Sequence, residues 1–96
     1  MLFRAAILTF ALAATPAFAA HYTAEPAAKP VEARFALRDV LWTCGDAGCT
    51  GGKSNSRPAI VCAVLAREVG SLTSFSVEGE ALTPEQLEKC NARAGD

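Results

Sequence analysis

Four cysteines, Cys44, Cys49, Cys62 and Cys90, are the residues of this 96-residue chain best equipped for chemistry. Cysteines at such spacings serve redox exchange, zinc binding or structural cross-linking. A dithiol redox centre needs Cys-x-x-Cys at a helix N-terminus, where the dipole lowers the thiol pKa. Here Cys44 and Cys49 are separated by Gly45-Asp46-Ala47-Gly48, a turn sequence. A zinc site needs two close pairs of thiolates, and only one near-pair is present. Disulfides are the expectation. Four cysteines allow three pairings, and sequence alone does not choose among them. Spacing favours Cys44–Cys49, facing each other across a tight hairpin end, where opposed strand residues approach disulfide range. It also favours Cys62–Cys90, each on the apolar face of a helix. By loop entropy the short bridge contributes roughly 2 kcal/mol and the long one about 3.5 kcal/mol.

Other chemistries find less support. Ala47 to Ser54 matches a relaxed phosphate-loop pattern with Ala in place of the first Gly. That loop works when a buried parallel strand feeds it and a helix follows; a cross-linked hairpin supplies neither. A weaker feature survives, because Lys53, Ser54, Ser56 and Arg57 converge on the start of a helix and form a candidate anion or partner contact. His21 is the single histidine, expected as an exposed tail residue; as an amino terminus it would lack the usual partner ligand for copper. Without a second histidine there is no Ser-His or Cys-His pair for nucleophilic catalysis. Glu78, Glu80, Glu85 and Glu88 fall on turns and a helix surface, with no low-dielectric cleft to raise one pKa. No catalytic residue, metal or cofactor is assigned. Trp42, in a strand beside a cysteine, reads as core.

What positions these residues begins with export. Arg4 precedes an apolar run from Ala5 to Ala14, Thr15-Pro16 breaks it, and Ala17-Phe18-Ala19 ends it. Charged start, short apolar run and small residues at −3 and −1 make a secretory signal over residues 1–19. The run is well short of the roughly 20 residues that span a bilayer. The mature chain is therefore expected in the periplasm or outside the cell, where paired cysteines oxidise. Without Arg4, eight basic residues face ten acidic ones. That balance excludes a polybasic nucleic-acid binder, and the length excludes a multidomain enzyme.

Residues 20–30, Ala-rich with Pro26 and Pro30, read as a flexible tail ahead of a domain over 31–96. Val31, Ala33, Phe35 and Leu37 alternate with polar residues as a half-buried strand. The phase slips at Arg38-Asp39, which predicts a bulge or turn before Val40, Trp42 and Cys44 point inward. Thr50 to Arg57 is a polar loop, with Ser56 as helix cap and Pro58 in the first turn. The helix over about 57–69 is apolar nearly all round, hence buried, and Gly70 ends it. Leu72 to Val77 is a strand with Thr73, Phe75 and Val77 on one face, followed by a turn at Glu78-Gly79-Glu80. A last helix starts at a capping box of Thr83 and Gln86, with Leu82 and Leu87 as staple. The sum is a small α+β domain, an antiparallel sheet of three to four strands with two helices on one face and two disulfides.

The motifs Leu41-Trp42-x-Cys44, Cys49, Ser56-Arg57-Pro58-Ala59, Val61-Cys62, Leu65-Ala66-Arg67 and Leu87-x-x-Cys90-Asn91 resemble a family of small exported bacterial four-cysteine proteins of unknown function. The resemblance spans nearly all of the mature domain and implies an exported four-cysteine domain; it transfers no catalytic residue. The expected function is a non-enzymatic module that binds an envelope protein or component, with no nucleic acid and no membrane span after signal removal. The alternatives are a small enzyme or inhibitor with a site near Trp42, Lys53 and Arg57, and a thiol redox protein.

Overall fold

The computed structural model describes residues 20–95; the signal segment read over 1–19 lies outside the described residues. Six strands and two helices follow in the order β1 (Tyr22–Pro26), β2 (Arg34–Leu37), β3 (Val40–Gly45), β4 (Gly48–Gly51), α1 (Pro58–Val69), β5 (Leu72–Val77), β6 (Glu80–Ala81) and α2 (Pro84–Asn91). The strands form one antiparallel sheet, ordered β2-β3-β4-β1-β5-β6. The α+β class, the helices on one face and both disulfides are as expected; the sheet is larger by two or three strands.

The largest correction concerns the expected tail. Residues 22–26 are an inner strand, hydrogen-bonded to β4 on one side and β5 on the other. Tyr22 and Ala24 point into the core while Thr23 and Glu25 point out. Sequence reading missed this because the second inward residue is an alanine, which gives little hydropathy contrast. Ala24 must be small, since it lies opposite both Cys49 and Phe75 in the two ladders.

Two further corrections follow from pairing. Val31 and Ala33 are exposed rather than inward, and β2 begins only at Arg34. An edge strand is held from one side, so its entry segment can leave the core. Thr73 is exposed and Leu72 is buried in its place on the inner face. The β1–β5 register slips between Glu25 and Pro26, setting Pro26 opposite Leu72; proline cannot continue the ladder as a donor. The Thr73 hydroxyl donates to the Glu25 carbonyl at the slip.

The inner face carries Tyr22, Trp42 and Phe75, whose ring centroids lie 5.7–6.4 Å apart in tilted contacts, within the range of favourable aromatic pairs. Both helices cover this face through Val61, Cys62, Leu65, Ala66 and Cys90. Cys44 and Cys49 are cross-strand partners at a Cα separation of 4.0 Å, and Cys62 joins Cys90 at 5.7 Å. The first bridge closes the β3–β4 hairpin; the second ties α1 to α2. Turn chemistry completes the frame. Arg38 at φ 58 and Glu78 at φ 52 each occupy the left-handed region in tight hairpins, and Gly79 follows Glu78 at φ 85. Gly70 ends α1 at φ 95, its N–H donating to the Ala66 carbonyl. The opposite face of the sheet is solvated: Thr43, Thr50, Thr23 and Ser76 stand in one cross-strand row.

Candidate functional site

The four residues expected to converge on the α1 N-terminus are divided between two places. The cap position of α1 is Arg57, not Ser56, and no side-chain oxygen caps the helix. The reason lies one turn upstream. The Asp39 carboxylate, in the β2–β3 turn, reaches across to the loop and takes its donors. The Ser54 hydroxyl donates to Asp39 Oδ1 at 2.8 Å, and the Asn55 N–H donates to Oδ2 at 3.0 Å. The Ser56 N–H in turn donates to Ser54 Oγ at 2.9 Å. Ser54 is buried despite its polarity, and the clasp satisfies it. The Asn55 and Ser54 donors hold the Asp39 carboxyl below its ordinary value. An internal carboxylate thus occupies the position an external anion would take at Ser54. Asp39 was not singled out from sequence, since a turn aspartate gives no sign of a partner 15 residues away. Lys53 is exposed beside the clasp.

Trp42 is 1% exposed and packed among Tyr22 and Phe75. The expectation of a surface site near Trp42, Lys53 and Arg57 is corrected in that respect, because the indole offers no face to a ligand. The recess beside it, lined by Leu37, Val40, Ile60 and Val64 among others, holds about 10 Å³, the space of a single water.

Arg57 goes elsewhere. With Pro58 and Ala59 it forms one wall of an open groove whose other wall is α2, through Gln86, Lys89 and Cys90, with Leu82 at one end. The groove measures about 450 Å³ and its walls are mainly apolar. Each wall is fixed. Pro58 sits in the first turn of α1, and the Cys62–Cys90 bridge joins the two helices beneath the groove. The capping box sets the start of α2: Gln86 N–H donates to Thr83 Oγ1 at 3.1 Å and Thr83 N–H to Gln86 Oε1 at 2.9 Å. Asn91 locks the end of α2 to β5, accepting from the Leu72 N–H and donating to the Leu72 carbonyl, both at 2.8 Å. No acidic side chain lines the groove, and among the described residues neither Arg57 nor Lys89 forms an ion pair.

The remaining candidates are structural. His21 is not a free tail residue: its Nδ1 lies 3.3 Å from Glu78 Oε2, and its ring meets Tyr22 edge-on at 4.6 Å. Its side chain is 19% exposed. Half of the P-loop-like stretch, Gly48–Gly51, is strand β4, and Cys49 to Gly51 are paired with a neighbouring strand on both sides, so the stretch does not form a phosphate-cradling loop. Among the described residues no cysteine is free, and no three His, Cys, Asp or Glu side chains gather as metal ligands. No helix of the described residues is long and apolar enough to cross a membrane.

Fold and site together define a small, doubly cross-linked α+β domain with a preorganised cationic groove. The chain belongs to the family of unknown function DUF8200, whose model matches residues 8–92. No curated protein and no solved structure matches it.

Proposed function

We propose that this protein is an exported, non-enzymatic binding module that holds an envelope partner in the groove between Arg57 and Lys89. The observation that carries the reading is the groove itself: apolar walls and unneutralised cations on elements fixed by a disulfide, a capping box and the Asn91 clamp. A surface rigid before binding loses little conformational freedom on association. Two disulfides suit an oxidising compartment, which supports export, as does the signal-like segment at residues 1–19. The ionisable side chains that line the groove are Arg57 and Lys89, suited to recognition.

The experiment is photo-crosslinking in the native host, with the full chain carrying benzoylphenylalanine at Gln86 or, on the opposite sheet face, at Thr50. The reading expects one discrete adduct from position 86 in the envelope or medium fraction, and none from position 50. Adducts from both positions alike, from neither, or only in the cytosol would overturn it.

A further inference from the structure

The groove's chemistry also names its occupant. We infer that it binds an extended acidic peptide segment that carries one apolar anchor residue; this rests on the binding-module reading above.

Three observations carry the inference. First, charge: Arg57 stands on one wall and Lys89 on the other, with no carboxylate between them, so an occupant with negative groups at both margins meets a cation on either side. Opposite charges at an interface steer encounter and fix register. Second, polarity of the backbone: α1 presents its N-terminal end here with no side-chain cap and no acidic residue in its first turn. The nearby Asp39 carboxylate is spent on Ser54 and Asn55 in the recess on the other side of the helix start, and the positive end of the helix dipole favours a further carboxylate at the groove. Third, shape: Pro58, Ala59 and Leu82 give an apolar lining to a recess of about 450 Å³, and Ala59 keeps it open by being small. That apolar lining, completed by Cys90, gives room for one anchor side chain.

The other two large clefts differ in charge. One contains the Lys29–Asp46 ion pair and Glu25, so its one cation is already neutralised and a carboxylate is left over. The other mixes Lys29 with Glu32 and Glu68.

The test is an NMR titration of the oxidised domain with a short synthetic peptide, Asp-Glu-Leu-Glu-Asp, alongside Asp-Glu-Ser-Glu-Asp and Lys-Lys-Leu-Lys-Lys. The inference expects saturable shifts of the Ala59, Gln86 and Lys89 amides with the acidic leucine peptide, and none at Thr23 or Thr50. Affinity is expected to fall about tenfold or more for the serine peptide, the lysine peptide, and the R57E/K89E protein. A59W, which fills the recess without altering charge, is expected to lose binding while its melting temperature holds. Equal binding of the lysine peptide, unchanged affinity in R57E/K89E, no shifts at millimolar peptide, or shifts only with phosphatidylglycerol vesicles would each overturn the inference. A position-86 crosslink that persists when the peptide fails would leave the module reading in place and reject only this occupant.

Discussion

Gly51 and Trp42 stand directly opposite each other in the β3–β4 ladder, and the indole lies over the glycine where a side chain would be. A Cβ at Gly51 would fall 2.8 Å from Trp42 Cζ3 and 2.9 Å from Val40 Cγ1. Both obstacles sit in a packed core, where interiors have no slack to yield. Trp42 can be fully buried only because the facing residue has no side chain.

Gly51→Ala is therefore expected to destabilise the domain by about 1–3 kcal/mol, the usual cost of overpacking. Each kcal/mol lowers Tm by about 4–8 °C in a domain of this size. Gly52→Ala, where no atom lies within 4 Å of the added Cβ, is the control and is expected to leave Tm nearly unchanged. Thermal denaturation of the two variants checks the pair; equal melting would contradict the packing argument.

Asn91 acts as a short substitute strand, giving Leu72 one acceptor and one donor. Leu72 is 2% exposed, so its backbone has no water to turn to. Asn91→Ala is expected to cost about 2 kcal/mol or more by orphaning these groups. Asn91→Asp keeps the acceptor but sets a carboxylate against the Leu72 carbonyl, and is expected to be at least as damaging at neutral pH. Urea denaturation of both variants measures it.

Much of this frame was legible in the sequence, and the failures share a cause. The α2 capping box, the stop at Gly70 and the cysteine pairs rest on local signals: Thr83 three residues before Gln86, a glycine after an apolar run, two cysteines across a turn. Strand β1 was missed because Ala24 is apolar yet small, a choice dictated by Phe75 and Cys49 far along the chain. Of the expected contact at Lys53, Ser54, Ser56 and Arg57, the engagement of Ser54 was not legible, because Asp39, 15 residues earlier, claims its hydroxyl. The groove was invisible for the same reason, since Arg57 and Lys89 meet only through the fold.

The Asp39 clasp should titrate. Its carboxyl is held below the ordinary value of 3.8, first by the Asn55 N–H and then by the Ser54 hydroxyl. A depressed folded-state pKa means the clasp contributes fully above the ordinary value and is lost as pH falls through the folded one. Asp39→Ala is expected to melt below the wild type at neutral pH, with the gap narrowing below about pH 4 and closing under strong acid. A gap independent of pH would contradict the assignment.

The two bridges should differ in weight. Cys62–Cys90 closes a loop of 28 residues in sequence separation and Cys44–Cys49 one of 5. Loop entropy assigns about 3.5 kcal/mol to the first and roughly 2 kcal/mol to the second. Paired Cys→Ala variants, compared by denaturant unfolding, are expected to rank in that order. Loss of the long bridge should also loosen the groove, seen as broadened Gln86 and Lys89 amide signals.

The most direct test of an exported, cross-linked module is the intact mass of the protein recovered from its native host, before and after reduction and alkylation. The expected result is a chain beginning at Ala20 and lacking four hydrogens, which takes up four alkyl groups only after reduction. A mass that retains residues 1–19, or thiols alkylated without reduction, would contradict export and the two-bridge scaffold on which the binding groove depends.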